Sequence, residues 1–166
     1  MKNIFTIESL SEFAQIYTKL VKLELQRLEI NEEELTPDHY GAFVGSKEEF
    51  DSTSEQLLTF STLIKEITLH NRRVRVFKLN NPLPGIYSIP KIEIFEPKPD
   101  ADLKKERFGI EHIAFKVKDF DTFIKSIDPS ILAKQGEVGN SKFAKTKTFN
   151  LVEIEFRNDS LGEEND

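Results

Sequence analysis

The chain has 166 residues, of which 38% are hydrophobic and 31% charged, with a formal net charge of −6 and no cysteine. This size and balance fit one globular unit or two small fused modules, and the lack of cysteine excludes disulfides, thiolate nucleophiles and thiolate metal ligands. The lack of a long Lys/Arg block disfavours nucleic acid as a partner, and no segment has the apolar run of a signal peptide or membrane span, so we expect a cytoplasmic protein without membrane contact.

The first predicted element is a helix followed by a turn. Ser9 and Glu12 match a capping box, and apolar residues recur at helical spacing as far as Leu28. The acidic stretch around Pro37 should end this helix, because the residue before a proline is biased away from helical conformation. We assign residues 1–36 to an N-terminal helix and connector.

Residues 37–100 are predicted to form a β-α-β-β-β module. A strand is predicted over residues 39–45, and Ser46 with Glu49 fits the start of a helix. Two strands joined by a tight turn follow, and a final strand is stopped by Pro97.

The same order of elements returns in residues 101–159, after a polar linker. The sequence GIEHIAFKV at 109–117 predicts a strand, Asp119 fits the N-cap of a short helix, and three more strands follow. Residues 160–166 are polar and acidic, and we expect them to form a flexible tail. The predicted fold class is therefore α+β, with a leading helix and two β-α-β-β-β modules.

Individual residues support this internal repeat. A shift of 73 positions places the pair Asp38-His39 on the pair Glu111-His112, so an acid–His pair opens each module. A strand residue, a helix cap and a phenylalanine of the first helical turn follow at the same offset. These residues are Val44, Ser46 and Phe50 in the first module and Val117, Asp119 and Phe123 in the second.

Two of the three histidines thus occupy equivalent positions. Because strand side chains alternate between faces, His39 and His112 are expected on the face opposite the one that packs under the helices. The last strand of each module adds carboxylates at Glu93, Glu153 and Glu155. A buried carboxylate needs a cation, a metal or water, and a mixed nitrogen and oxygen donor set suits one divalent transition metal (Zn, Fe, Mn, Ni or Co) better than Ca²⁺.

Each of these residues also has a structural interpretation. A histidine at the start of a strand is often a hydrogen-bonded core residue, and Glu93 can be an exposed carboxylate of an edge strand. Glu153 and Glu155 can form the solvated face of an antiparallel strand. The third histidine, His70, lies at a predicted turn and is interpreted as a solvated residue.

Three arginines are candidate substrate ligands. If Arg72, Arg73 and Arg75 face the cavity, their guanidinium groups can bind a carboxylate or a phosphate in fork geometry. The alternative is a charged outer surface that keeps an edge of the sheet soluble.

The paired modules, with a histidine on the first strand and a glutamate on the last, resemble the vicinal oxygen chelate (VOC) superfamily, which includes glyoxalase I, extradiol dioxygenases and methylmalonyl-CoA epimerase. The stretches PDHYGAFV, LIKEITLHNRRVRVFKL, IEIFEPKP and GIEHIAF are similar to its YecM-like branch. The resemblance implies a curved mixed sheet built from both modules, with the N-terminal helix packed outside. It implies His39, Glu93, His112 and Glu155 as metal ligands, with Glu153 as the competitor for the last position.

The chemistry shared by this superfamily is bidentate capture of vicinal substrate oxygens by one metal. The resemblance therefore implies a metal-dependent enzyme acting on a small, oxygen-rich molecule, with isomerase, lyase and dioxygenase chemistry all open. Glu66 and Glu155 are the candidate bases. The alternatives are a non-catalytic protein that holds a small molecule or metal, and a helper protein whose N-terminal helix or acidic tail docks a partner. We expect a monomer or a homodimer.

Overall fold

The computed structural model describes residues 5–104 and 109–163. Within these ranges the chain forms three helices and eight strands, in the predicted order. They are α1 (Ile7–Arg27), β1 (Leu35–Phe43), α2 (Lys47–Leu58), β2 (Ser61–Leu69), β3 (Arg72–Leu83), β4 (Ile89–Phe95), β5 (Gly109–Val117), α3 (Phe120–Ser126), β6 (Leu132–Val138), β7 (Ser141–Thr146) and β8 (Ile154–Arg157). None of the helices in the described ranges has the length and apolar character needed to cross a membrane.

All eight strands belong to one curled mixed sheet, in the order β2-β3-β4-β1-β5-β8-β7-β6. Each module contributes four adjacent strands, and the modules join where β1 and β5 pair antiparallel. Within the modules the first and last strands pair parallel, β1 with β4 and β5 with β8. This topology confirms the prediction of two β-α-β-β-β modules in a curved mixed sheet with an extra N-terminal helix.

The apolar core decides which face of the sheet is left for a site. Each of the four central strands sends alternate apolar side chains into the core that the helices cover. The residues between them therefore point to the opposite, concave face. The buried apolar residues are Tyr40 and Ala42 on β1, Ile92 and Ile94 on β4, Ile113 and Phe115 on β5, and Ile154 and Phe156 on β8.

The helices begin at capping residues, two of which the sequence predicted. Ser46 and Asp119 cap α2 and α3 with their side-chain oxygens. The cap of α1 is Thr6 rather than Ser9, because the Thr6 hydroxyl accepts a hydrogen bond from the Ser9 backbone N–H at 3.2 Å.

The segment that follows β8 packs against the sheet as far as residue 163. The Ser160 hydroxyl donates to Asp38 Oδ1 at 2.8 Å, and Lys78 Nζ lies 3.0 Å from Glu163 Oε1. Only residues 164–166 of the tail that was expected to be flexible lie outside the described residues, as do residues 105–108 of the linker.

Candidate metal centre

Two β-bulges interrupt the strand pair at the centre of the sheet. The extra, unpaired residue is Asp38 in β1 and Glu111 in β5, so each bulge falls on the acid that precedes a repeat-related histidine. Bulges re-aim side chains and are common next to functional sites. The internal repeat therefore extends to backbone geometry at the point where the two modules meet.

Four residues from four strands converge on the concave face. One donor atom each of His39, His112 and Glu155 lies within 4.8 Å of the others, and all three residues are buried. Glu93 Oε2 lies 3.5 Å from His39 Nε2 and 4.0 Å from His112 Nε2. Glu155 Oε2 lies 3.6 Å from His112 Nε2. The structure thus brings together the four side chains expected from the resemblance, and Glu155 rather than Glu153 is the carboxylate grouped with both imidazoles.

The imidazoles carry buried nitrogens that the described protein atoms do not satisfy. His39 Nε2 and both ring nitrogens of His112 have no hydrogen-bond partner among the described residues. The two ring centroids are 5.6 Å apart and the ring planes meet at 80°. An unsatisfied buried polar group costs about 1–3 kcal/mol, so a bound group that these nitrogens can contact would stabilise the site. A cation that prefers nitrogen and oxygen donors fits this set.

Small residues on the neighbouring strand make room for each imidazole. Gly41 pairs with His112 across the β1–β5 junction, and a Cβ at Gly41 would lie 2.0 Å from Cε1 of that ring. Ala114 occupies the equivalent place opposite His39. Sequence reasoning missed this function of Gly41, although a glycine inside a strand is a known sign of close approach.

Asp38 fixes the orientation of His39. Its Oδ2 lies 2.7 Å from His39 Nδ1, so Nδ1 carries the hydrogen of this bond and Nε2 points towards Glu93. Burial lowers the pKa of His39, but the hydrogen bond to Asp38 and the negative charges of Glu93 and Glu155 outweigh it and raise that pKa to about 9. His39 is therefore protonated near neutral pH when no metal is bound.

Asp38 is itself held by three groups. Lys91, which is buried, places Nζ 2.9 Å from Asp38 Oδ1. The Ser160 hydroxyl and the Leu161 backbone N–H donate to the two carboxylate oxygens at 2.8 Å and 3.1 Å. The segment after β8 thus anchors the carboxylate that orients a site histidine.

The other half of the site has the protonation states that metal ligands need. Burial and the charge of Lys145 lower the pKa of His112 well below its ordinary value, so this imidazole is neutral. Burial opposes ionisation of Glu155, but the positive charges of Lys145, His39 and Arg157 favour it and lower its pKa to about 2. Arg157 Nη1 lies 3.0 Å from Glu155 Oε1 and Lys145 Nζ 3.5 Å from Oε2.

A cleft of about 320 Å³ opens beside His112. Glu111 and Glu153 line the cleft, and each offers a donor atom within 4.8 Å of one of His112, so the cleft lies next to the site. Lys145 Nζ lies 3.5 Å from Glu153 Oε1 as well as from Glu155 Oε2. Sequence reasoning did not select Glu111 or Lys145 as site residues, because only the bulge and the strand register place them here.

Of the three candidate arginines, Arg72 lines this cleft. Its guanidinium carbon lies 5.1 Å from the ring centroid of Phe43 and 4.8 Å from that of Phe95. The two rings stack with centroids 4.7 Å apart. Arg72 therefore sits on an aromatic platform at the mouth of the cleft.

Arg73 and Arg75 lie on the other face of β3, against α2. Arg73 Nη1 donates to Asp51 Oδ1 at 2.8 Å, and Arg75 Nη1 donates to Ser54 Oγ at 2.9 Å. The Glu66 carboxylate pairs with Arg75 Nε. The structure thus does not bring Arg73, Arg75 or Glu66 to the site.

Comparisons with known proteins agree on the fold. A family model described as YecM protein matches residues 6–157. A solved structural-genomics structure, protein EC4020, is similar with a TM-score of 0.76 and 17% identity, over 94% of this chain and 89% of that chain. Streptomyces coelicolor methylmalonyl-CoA epimerase, as a variant in complex with 2-nitronate-propionyl-CoA, gives a TM-score of 0.53 and 18% identity over 74% of this chain and 96% of that chain.

A further methylmalonyl-CoA epimerase structure, in complex with methylmalonyl-CoA and NH4⁺, gives a TM-score of 0.51 and 18% identity, over 74% of this chain and 93% of that chain. Among curated proteins no sequence matches. At these identities the structural likenesses show a shared fold, and the predicted VOC fold is confirmed.

Proposed function

The chain belongs to the YecM protein family, and we propose that it is a metal-dependent enzyme of VOC type that acts on a small, oxygen-rich molecule. This proposal rests on two buried nitrogens, His39 Nε2 and His112 Nε2, that have no hydrogen-bond partner in residues 5–104 and 109–163 and that face the carboxylates of Glu93 and Glu155. A purely structural histidine pair would have its nitrogens hydrogen-bonded, because burial of a polar group without a partner is unfavourable.

One divalent transition-metal ion (Zn, Fe, Mn, Ni or Co) suits two imidazoles and two carboxylates. His39, Glu93, His112 and Glu155 would hold it, and it would supply Lewis acidity towards the vicinal oxygens of a substrate. Asp38 serves the site by keeping the hydrogen on His39 Nδ1, which reserves Nε2 for the ion.

The cleft beside His112 is the proposed entry for the substrate. It admits a small molecule, and it exposes Glu153 to that molecule next to the metal ligands. The Glu153 carboxylate accepts a hydrogen bond from the Thr148 hydroxyl at 3.2 Å, which orients it. We assign proton transfer to Glu153 in preference to Glu66, because Glu66 lies on β2 and pairs with Arg75 away from the cleft. The fold fits isomerase, lyase and dioxygenase chemistry alike.

A second candidate function is a non-catalytic protein that holds a small molecule on the same fold. The observation in its favour is that Lys145 and Arg157 already neutralise Glu155 without a metal. In that case the small molecule would bind equally well to metal-free protein.

Cobalt(II) absorption tests the proposal. Because the chain lacks cysteine, visible bands in the bound state must come from nitrogen and oxygen ligands. We expect saturable bands at one equivalent, lost in His39→Ala and His112→Ala and retained in the control Glu66→Gln. No bands in the wild type, or identical bands in all variants, would contradict the proposed site.

A second measurement separates the two candidate functions. Acetohydroxamate, a chelator with two vicinal oxygens, should raise the Tm of cobalt-loaded protein and leave the metal-free protein unchanged. An equal rise in both forms would favour the non-catalytic holder.

A further inference from the structure

The outer face of α1 carries large apolar side chains that the fold does not bury. Ile16 is 65% exposed, Leu20 39% and Leu23 62%. Their spacing of four and three residues puts them in one stripe along the helix. Single exposed apolar residues are ordinary, but a contiguous stripe marks an interaction surface.

A turn next to α1 enlarges this stripe. Phe149 is 43% exposed and Leu151 is 67% exposed. The Tyr17 hydroxyl donates to the Leu151 carbonyl at 3.5 Å, and the Arg27 guanidinium lies 4.0 Å above the Phe149 ring, so the turn lies against the helix. We name the combined surface the α1 patch. It consists of Ile16, Leu20, Leu23, Phe149 and Leu151.

We propose that the α1 patch is a homodimer interface, in which two copies of α1 pack antiparallel across a two-fold axis that passes between residues 19 and 20. That axis places Ile16 of one copy against the partner's Leu23, and Leu20 beside the axis. The contact is isologous, because the same stripe serves both copies. The proposal is independent of the metal site, which lies on the concave face of the sheet.

The charges along α1 favour this direction of packing. Glu8 and Glu12 belong to its N-terminal half, and the basic residues Lys19, Lys22 and Arg27 belong to its C-terminal half, where the acidic Glu24 is buried and paired with Arg27. Antiparallel packing brings Glu12 of one copy opposite the partner's Arg27, which also pairs with Glu24 of its own helix, whereas parallel packing would place like charges together. Such complementarity selects the partner and the register more than it adds affinity.

The size of the patch fits a weak dimer. Two copies of five partly exposed apolar side chains would remove on the order of 1,000 Å² from water, at the lower end of specific interfaces. Dimerisation should therefore depend on protein concentration.

Cysteine cross-linking tests the register, since the natural chain provides no background thiol. Under mild oxidation Leu20→Cys should form a covalent dimer by itself. Ile16→Cys alone should not, but an equimolar mixture of Ile16→Cys and Leu23→Cys should. Leu58→Cys, on the 50% exposed position of α2, is the matched control and should stay monomeric. Self-linking by Ile16→Cys at the rate of Leu20→Cys would overturn the antiparallel register.

Sedimentation equilibrium of the wild-type chain tests whether the dimer forms in solution. Ile16→Glu with Leu23→Glu should raise the dimer dissociation constant at least tenfold, while circular dichroism confirms an intact fold. The control Leu58→Glu should leave the dissociation constant unchanged. The proposal would be overturned if the wild type is monomeric at every concentration, even if its patch binds a different protein. It would also be overturned if the double substitution leaves the dimer unaffected.

Discussion

Replacing Glu155 with glutamine should weaken metal binding more than hundredfold, whereas Glu153→Gln should weaken it about tenfold or less. Glu155 is buried and lies within 4.8 Å of both imidazoles, while Glu153 is grouped with His112 and not with His39. Loss of a residue that only supports a ligand costs about 10–100-fold in affinity, so loss of a charged ligand should exceed that range. The substitution keeps the shape of the side chain and removes its charge.

The loss at Glu155 should be increased by its neighbours. Arg157 and Lys145 contact the Glu155 carboxylate, and in Glu155→Gln their charges would oppose a cation without a compensating anion. The same two groups could disturb folding, because breaking a buried ion pair costs about 3–5 kcal/mol. Glu155→Asp, which keeps the charge, is therefore the matched control and should retain more affinity than the glutamine variant.

Competition titration against a fluorescent chelator measures these affinities, after circular dichroism has shown that each variant is folded without metal. Equal affinities of wild type and Glu155→Gln would refute the assignment of Glu155 as a ligand. The site would then have His39, Glu93 and His112 as its three protein ligands. A larger loss in Glu153→Gln than in Glu155→Gln would refute the reasoning from proximity to both imidazoles.

Three further predictions concern the residues that support the site. Gly41→Ala should destabilise the fold by about 1–3 kcal/mol in urea unfolding and weaken metal binding, because its new Cβ would lie 2.0 Å from an atom of the His112 ring. Lys91→Ala should lower the free energy of unfolding by about 1–3 kcal/mol, because it removes one of the two cations that contact the buried Asp38 carboxylate and leaves His39 as the other. Metal affinity should rise about tenfold per pH unit below pH 9, because the imidazolium of His39, whose pKa is raised to about 9, must release a proton before Nε2 can bind a cation.

Each of these predictions has a result that would count against it. Metal affinity in Gly41→Ala equal to wild type would show that the His112 ring can move without loss. Lys116→Ala, at an exposed lysine of β5, is the control for Lys91→Ala, and equal effects of the two would contradict the buried ion pair. A flat affinity from about pH 6 to about pH 8 would contradict proton release from His39, and titration in buffers of different ionisation enthalpy measures that release directly.

The sequence predicts the fold well because its signals are local and repeated. Alternation of Ile92 with Ile94, and of Ile154 with Phe156, is sufficient to place the intervening glutamates opposite the core. The acid–His pairs mark the start of each module. These patterns can be recognised without knowing the strand register, and for that reason the sequence predicts the two-module order correctly.

The parts of the site that depend on strand register were not predictable. The positions of the bulges at Asp38 and Glu111, and the approach of His112 to Gly41, follow from how β1 and β5 pair. No local pattern encodes that pairing, since a bulge shifts the face on which a side chain emerges. The contribution of Lys91 to the site also depends on strand register, so the sequence did not predict it.

The arginines of β3 show a different limit of prediction from the sequence. Alternation correctly separates Arg73 and Arg75 from Val74, but it does not say which face meets a helix. The structure places both guanidinium groups within 5 Å of the Phe50 ring of α2, at 4.7 and 4.9 Å. Long cationic side chains can cover an apolar surface with their stems, so charge alone does not predict the solvent face.

Metal counting by mass spectrometry, on protein purified without a histidine tag and reconstituted separately with Fe, Mn, Co, Ni and Zn, tests the central claim most directly. The account predicts close to one ion per chain for at least one metal in the wild type, and almost none when His39 and His112 are both replaced by alanine. No retained metal under any condition, or equal retention by wild type and the double variant, would contradict it.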